Sequence, residues 1–129
     1  MIAVDTSSLR RFLEGRSARD VEQVALALES RQLALPPVVL TEILSEPSLQ
    51  RQTIEAISGL PLLEIDGEFW ARAGLLRSGV LAQGRKCKVA DALIAQVCLD
   101  HRVPLITNDR DFRIFEDAGL LLVPGRSTL

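Results

Sequence analysis

The sequence predicts a three-layer α/β/α domain, in which helices cover both faces of a mainly parallel sheet of about five strands. Two observations favour this fold class. Short apolar runs alternate with longer segments of helical periodicity, and the chain has 129 residues, close to the usual size of one domain. Hydrophobic residues make up 47% and charged residues 25%, as in most globular chains. We therefore expect one domain over residues 1–129.

The predicted elements follow one another in the order that this fold requires. Strands are predicted at residues 2–5, 33–35, 62–65, 104–107 and 120–123. Helices are predicted at residues 6–13, 18–30, 38–45, 49–58, 67–82 and 89–101, with a short one after Asp109. Apolar residues surround almost the whole circumference of helix 89–101, so this helix should be buried on most sides.

The composition excludes several modes of binding. Fifteen Lys and Arg stand against seventeen Asp and Glu, so the net charge of −2 provides no overall positive field for nucleic acid or for an anionic membrane. With four Phe, one Trp and no Tyr, the chain has too few aromatic residues for a base-stacking platform. Any contact with nucleic acid must therefore come from a local patch.

The few cysteine and histidine residues and the N-terminal segment exclude further classes of protein. Cys87 and Cys98 lack the spacing of a zinc site or a disulfide framework, and we expect both to pack as small apolar groups. His101 lies at the end of a predicted helix, where an interaction with the helix dipole is a simpler role than catalysis. The chain opens without a basic segment followed by a hydrophobic stretch, and no apolar run reaches a membrane span. We expect a cytoplasmic protein without membrane contact.

Three aspartates are predicted to converge at one edge of the sheet. Asp5 ends the first strand and Asp109 follows the strand at 104–107, and the carboxyl ends of parallel strands share the edge where such folds bind ligands. Asp91 lies among apolar neighbours at the start of the helix that precedes this strand. Oxygen ligands without nearby His or Cys suit hard cations such as Mg²⁺ or Mn²⁺.

Helix capping is the alternative interpretation of these acids. Each of the three aspartates lies near a predicted helix start, where Asp is a favoured N-cap, and Asp111 could be a first-turn acid stabilised by the helix dipole. Capping explains each residue singly. It explains less well why several carboxylates should lie together, because like charges repel unless a cation intervenes. Helical periodicity leaves Glu42 an ordinary exposed residue.

Four segments resemble the signature blocks of PIN domains and, more narrowly, of VapC-type toxins of toxin–antitoxin pairs. They are Ile-Ala-Val-Asp-Thr-Ser at 2–7, Val-Leu-Thr-Glu-Ile at 39–43, Ala-Asp-Ala-Leu-Ile-Ala at 90–95 and Leu-Ile-Thr-Asn-Asp-Arg-Asp-Phe at 105–112. Their order and spacing agree with the family, and the resemblance runs from Met1 to about Val123. The approach to Asp91, residues 85–89, is more basic than is common in the family.

The resemblance implies a set of site residues. Asp5, Asp91 and Asp109 would be the principal metal ligands, and Glu42 would bind a second ion or orient the attacking water. Small hydroxyl side chains at family positions would support the carboxylates, and an accessory acid would complete the set: Thr6, Ser7, Thr107 and Asp111. The resemblance therefore adds Glu42, which helical periodicity does not indicate.

The resemblance also implies the function. It predicts a Mg²⁺-dependent endoribonuclease toxin of a type II toxin–antitoxin system, which hydrolyses phosphodiester bonds through a metal-activated water. A homodimer and a small cognate antitoxin are implied as well. Because charge and aromatic content leave little capacity to hold unstructured RNA, we expect a structured substrate, a tRNA or a ribosomal stem-loop. Basic residues flank the signature blocks, and the predicted RNA contacts are Arg85, Lys86 and Lys88, with Arg10 and Arg11 also nearby.

Other function classes stay open at this point. A PIN-domain protein could act on DNA or in regulation, because the choice between RNA and DNA depends on 2′-hydroxyl contacts made by loops. A non-catalytic interaction module could keep the same fold. A phospho-acceptor signalling domain is also an α/β fold with clustered acids, but it needs a strand-end Lys, which the fourth and fifth predicted strands lack.

Overall fold

A four-stranded parallel sheet forms the centre of the computed structural model, which describes residues 1–125. Within these residues the strands lie in the order β2-β1-β3-β4. Ala3 pairs with Ala34 on one side and with Leu105 on the other. All three pairings are parallel, so the carboxyl ends of the strands meet at one edge. The strands are β1 (Ile2–Val4), β2 (Leu33–Ala34), β3 (Leu105–Ile106) and β4 (Leu122–Val123).

Helices flank this sheet and connect its strands, as the sequence predicts. The six α-helices within residues 1–125 are α1 (Thr6–Leu13), α2 (Arg19–Glu29), α3 (Pro37–Leu44), α4 (Arg51–Ser58), α5 (Phe69–Ala82) and α6 (Val89–His101). The predicted short helix after Asp109 is a 3₁₀ helix, Arg110–Ala118. In this part of the chain, no helix has the length and apolar character needed to cross a membrane. The predicted α/β fold class is confirmed.

The predicted strand at 62–65 differs from the structure. It is reduced to one parallel bridge between Leu35 and Leu62, closed by hydrogen bonds from Leu35 N–H to the Pro61 carbonyl at 2.8 Å and from Leu63 N–H to the Leu35 carbonyl at 2.9 Å. Only Leu63 of this run is buried, and Ile65 is 38% exposed. The residues that would continue this strand, Glu64 and Ile65, are exposed, and within residues 1–125 the sheet has four strands rather than five.

The core surrounds the two central strands and helix α6. In β1 and β3 the side chains of Ala3, Val4, Leu105 and Ile106 are all at 0% exposure, and Ile2 is partly buried. The prediction that helix α6 is buried on most sides is confirmed, because every residue from Ala92 to Cys98 except Leu93 is buried. Helix α6 ends at His101, and its C-cap residue, Arg102, has the left-handed conformation with φ 55°, where the chain turns toward β3. This turn leads the chain from α6 into β3, the strand that precedes Asp109.

Helices α1 and α2 are joined by a buried carboxylate. Asp20 of α2 is 1% exposed and accepts hydrogen bonds from Ser8 Oγ at 2.8 Å and from Arg11 Nη2 at 3.3 Å. A buried charge is tolerated only when it is paired and hydrogen-bonded. Arg11 is thus paired with Asp20, and it does not line the cavity that Asp5 borders.

We expect the substitution Asp20→Ala to lower the free energy of unfolding by about 2 kcal/mol, since it leaves Ser8 and Arg11 without their acceptor. Urea unfolding followed by circular dichroism measures this change. Glu22→Ala removes an exposed carboxylate from the same helix and should change stability by less than about 0.5 kcal/mol. Equal stability of the two variants would show that Asp20 contributes nothing beyond a surface charge.

Candidate active site

Asp5 is positioned by the junction between β1 and α1. It is the N-cap of α1, where its Oδ1 accepts a hydrogen bond from Ser8 N–H at 2.8 Å. Its Oδ2 accepts hydrogen bonds from Ser7 Oγ at 3.1 Å and from Thr107 Oγ1 at 2.6 Å. Burial of this side chain, which is 2% exposed, raises the pKa of Asp5, and the hydrogen bonds oppose that rise. Asp5 both caps α1 and lies at the edge where the acids meet. The helix-capping and metal-site interpretations of this residue therefore do not exclude each other.

Thr107 links the ends of β1 and β3. Besides donating to Asp5, its Oγ1 accepts a hydrogen bond from Asp109 N–H at 3.0 Å. Asp109 in turn caps the 3₁₀ helix, since its Oδ1 accepts from Asp111 N–H at 2.9 Å. Asp5 and Asp109, which end neighbouring strands, are therefore connected through one hydroxyl group.

Glu42 faces the site from helix α3. Its Oε1 accepts a hydrogen bond from Thr6 Oγ1 at 2.6 Å, and its side chain is partly buried. The expectation from helical periodicity, an ordinary exposed residue, is therefore wrong. The signal is absent from α3 itself, because the side chain faces inward only through the packing of α3 against α1.

Asp91 differs from the other three acids in its hydrogen bonding. It is the third residue of α6, whose N-cap position is Lys88, so the capping interpretation does not apply to it. No donor from residues 1–125 bonds its carboxylate. Desolvation by burial, followed by the negative charge of Asp109, raises the pKa of Asp91 to about 6, while Lys88 acts in the opposite direction. Asp91 is the acid that is least satisfied by the protein.

The four acids line one cavity of about 200 Å³ at the carboxyl edge of the sheet, which we call the acidic cavity. Its wall is formed by Asp5, Thr6, Ser7, Arg10, Glu42, Lys88, Ala90, Asp91, Ile94, Asp109 and Phe112. Of the predicted RNA contacts, only Lys88 belongs to this wall. Arg85 and Lys86 are exposed in the preceding loop, and Asp111 is exposed outside the cavity. Arg10 adds a second cation.

The donors of the acidic cavity fit a hard divalent cation in their chemistry. Within residues 1–125, no three His, Cys, Asp or Glu side chains are placed to hold one ion together. Mg²⁺ nevertheless keeps several waters and commonly takes only one or two carboxylates. A carboxylate offers roughly four lone-pair positions, and Asp5 uses three of them on its hydrogen bonds. Asp5 therefore has one lone-pair position left for a metal ion. The carboxylate of Asp91 accepts no hydrogen bond from residues 1–125, so all of its positions are available.

The histidine and the two cysteines lie away from the acidic cavity. His101 is exposed at the end of α6, with its Nε2 at 2.7 Å from the Glu64 carbonyl oxygen, and it does not line the acidic cavity. Cys87 and Cys98 are buried and free, as expected. Desolvation raises the pKa of the Cys98 thiol to about 12, so this thiol stays neutral.

The fold and the site define an α/β domain with an acidic cavity at the carboxyl edge of a parallel sheet. The PIN domain family model matches residues 2–117, and the chain belongs to this family. The resemblance seen in the four sequence segments is thereby confirmed.

Two VapC ribonucleases are similar to this chain in sequence over most of its length. The chain is 26% identical over 121 residues to VapC ribonuclease Mb1587 of Mycobacterium bovis, covering 88% of this chain and 90% of that protein. It is 25% identical over 121 residues to ribonuclease VapC5 of Mycobacterium tuberculosis, covering 92% and 85%.

Two solved structures are also similar. The VapBC2 complex of Rickettsia felis bound to a promoter DNA fragment matches with a TM-score of 0.72 and 19% identity, covering 95% of this chain and 97% of that one. A toxin–antitoxin complex of Klebsiella pneumoniae matches with a TM-score of 0.68 and 26% identity, covering 87% and 90%. The first of these supports the fold alone, since its sequence identity is low.

We expect Asp91→Asn to stabilise the metal-free protein by about 1 kcal/mol at pH 7.5. The pKa of Asp91 is about 6 in the folded state and about 3.9 in the unfolded chain, so between these values the folded state binds more protons. Stability therefore falls as pH rises from about 4 to about 6. One pKa unit corresponds to about 1.4 kcal/mol, and partial exposure of the carboxyl group screens part of the effect.

Urea unfolding in EDTA at pH 5 and pH 7.5 measures this effect. The gain from Asp91→Asn should be smaller at pH 5, where a large fraction of Asp91 is already neutral. Asp117→Asn removes an exposed carboxylate and serves as the matched control, with little change at either pH. A loss of stability in Asp91→Asn at both pH values would mean that its carboxylate stabilises the fold.

Proposed function

We propose that this protein is a Mg²⁺-dependent endoribonuclease and the toxin of a type II toxin–antitoxin pair. The observation that carries the proposal is the acidic cavity, which gathers Asp5, Glu42, Asp91 and Asp109 in a chain of the PIN family. Named relatives at 25–26% identity are VapC ribonucleases, which supports this choice of chemistry. The bond hydrolysed is a phosphodiester of structured RNA, a tRNA or a ribosomal stem-loop, and we place its action in the cytoplasm.

Asp5, Asp91 and Asp109 would hold the metal ion, one or two of them directly and the rest through its bound waters, with Mn²⁺ as a substitute for Mg²⁺. When bound, such an ion supplies charge neutralisation and a water of lowered pKa. The protein's own contribution is positioning: Thr107 and Ser7 fix Asp5, and the hydroxyl of Thr6 fixes Glu42. Glu42 then orients the attacking water or binds a second ion.

RNA contact near the scissile bond is assigned to the basic residues around the acidic cavity. Lys88 and Arg10 lie on its wall, where they can meet phosphate oxygens. Arg85 and Lys86 are exposed in the loop that leads into α6, and they would extend this contact. The one exposed aromatic side chain within residues 1–125, Trp70 on α5, does not line the acidic cavity, and Phe112 on its wall is 1% exposed, so shape rather than base stacking supports recognition.

A cognate antitoxin and a second copy of the chain are the proposed protein partners. The toxin–antitoxin complex of Klebsiella pneumoniae, which is 26% identical to this chain, supports the first of these. The acidic cavity supports it as well, because four neighbouring carboxylates without metal attract a basic side chain from a partner. We propose that the antitoxin inhibits by placing an Arg or Lys there.

Metal binding is the first test. Calorimetric titration of the antitoxin-free protein with Mn²⁺ should show one or two oxygen-ligated ions, and Asp91→Asn or Asp109→Asn should weaken their affinity by at least about tenfold. Asp117→Asn, which changes the same charge outside the cavity, should bind as the parent does. If both cavity variants retain full affinity, the carboxylates serve only as caps and surface charges.

Cleavage and toxicity form the second test. Expression of the chain alone should arrest bacterial growth, with a few sharp new RNA 5′ ends that purified protein and Mg²⁺ reproduce. Asp91→Asn should lower the cleavage rate by at least about 100-fold and abolish the arrest, while Asp117→Asn leaves both intact. Asp91 is preferred over Asp5 for this purpose, because replacing Asp5 also removes the cap of α1.

Other outcomes of the cleavage test would identify another function. Cleavage of DNA alone would assign the protein to the DNA-directed members of the fold. Metal binding without cleavage of either nucleic acid would favour a non-catalytic interaction module. Equal toxicity of the parent and Asp91→Asn would separate the arrest from metal-dependent hydrolysis.

A further inference from the structure

A second cavity lies beside the acidic cavity at the same edge of the sheet. It encloses about 330 Å³, and its wall includes Thr107 and Asn108 after β3 and Pro124 and Gly125 after β4. Since β3 lies between β1 and β4, the acidic cavity is at the β1–β3 end and this one is at the β3–β4 end. Asp109 lines both cavities, so the two are neighbours.

Three arginines distinguish this second cavity, which we call the arginine cavity. Arg19 is the first residue of α2, and Arg110 and Arg113 belong to the 3₁₀ helix. All three side chains are exposed, and none forms an ion pair or hydrogen bond with residues 1–125. Two carboxylates, Asp109 and Glu116, share the wall. Positive charge is therefore in excess, and the guanidinium groups have donors available.

Leucine and proline side chains make one part of the wall apolar. Leu120, Leu122 and Pro124 line the cavity beside the arginines, and Leu121, on the same wall, is 68% exposed. A ligand that fits must combine an anion with an apolar face. A nucleotide has both, because its phosphate matches the fork of a guanidinium group and its sugar and base offer apolar surface.

We propose that the arginine cavity binds an RNA phosphate close to the one that is cleaved, together with its nucleoside. This inference rests on the proposed ribonuclease function, because it assigns the acidic cavity to the scissile phosphate. The acidic cavity repels a polyanion until a cation enters it, and the net charge of −2 provides no long-range attraction. Arg19, Arg110 and Arg113 supply the local attraction that this site needs directly beside its catalytic carboxylates.

The test compares two charge-matched double variants. Arg19→Gln with Arg113→Gln removes cations from the arginine cavity and leaves Arg110, the neighbour of Asp109, in place. Arg31→Gln with Arg102→Gln makes the same change of charge at exposed positions just before β2 and β3, at the opposite edge of the sheet. Binding of a fluorescent RNA stem-loop is measured by anisotropy in EDTA, where metal-dependent cleavage cannot occur, between about 50 and 200 mM KCl.

The arginine-cavity variant should bind the stem-loop at least about tenfold more weakly than the parent. The slope of log affinity against log salt should flatten by about 0.7 for each phosphate that the variant no longer binds. The control variant should retain most of the parent's affinity, and both variants should keep the parent's melting temperature and Mn²⁺ affinity. Equal weakening in the two variants, or unchanged binding in the arginine-cavity variant, would overturn the proposal.

The design separates failure of this inference from failure of the proposed function. If the parent cleaves RNA with Mg²⁺ and the arginine-cavity variant binds and cleaves equally well, only the subsite is refuted. If the parent binds RNA through these arginines but cleaves none, the ribonuclease assignment fails. A polyglutamate peptide is the competing probe. Loss of peptide binding with unchanged RNA binding would show that the cavity takes an acidic protein segment, which also overturns the proposal.

Discussion

A buried carboxylate at the end of the central strand is the constraint on which the site depends. Asp5 is 2% exposed, and a charge in that position is tolerated only with donors around it. Those donors come from separate parts of the chain: Ser8 N–H and Ser7 Oγ from the first turn of α1, and Thr107 Oγ1 from the end of β3. Satisfying one carboxylate thus fixes the start of α1 and the relation between β1 and β3.

The other three acids, Glu42, Asp91 and Asp109, differ in how many hydrogen bonds the protein donates to their carboxylates. Glu42 is tied to Thr6, and Asp109 is tied to the first turn of the 3₁₀ helix. Asp91 accepts no hydrogen bond from residues 1–125, and its pKa is raised to about 6. Three carboxylates that accept hydrogen bonds, those of Asp5, Glu42 and Asp109, therefore lie around one that accepts none. The proposed metal ion would relieve the repulsion at Asp91 more than at the hydrogen-bonded acids.

Charge is distributed along the sheet edge in a way that the net charge of −2 conceals. The strand order β2-β1-β3-β4 places the acidic cavity next to the arginine cavity, with Asp109 between them. Under the proposed function, opposite charges at adjacent positions would suit an RNA substrate, because one phosphate would lie at the acidic cavity and a neighbouring phosphate at the arginines. In this proposal, the arginine cavity supplies affinity for RNA, and the carboxylates of the acidic cavity supply the chemistry.

The sequence by itself determined the features that follow from the periodicity of single helices and strands. The apolar circumference of α6 and the strand-end positions of Asp5 and Asp109 follow from backbone periodicity and from the shared edge of parallel strands. The role of Glu42 came from family resemblance, because its inward direction depends on the packing of α3 against α1. Tertiary structure alone decided that the run 62–65 forms one bridge, and it alone assembled the arginine cavity from α2, the 3₁₀ helix and β4. Contacts between elements distant in the chain leave no local period, so only the folded structure reveals them.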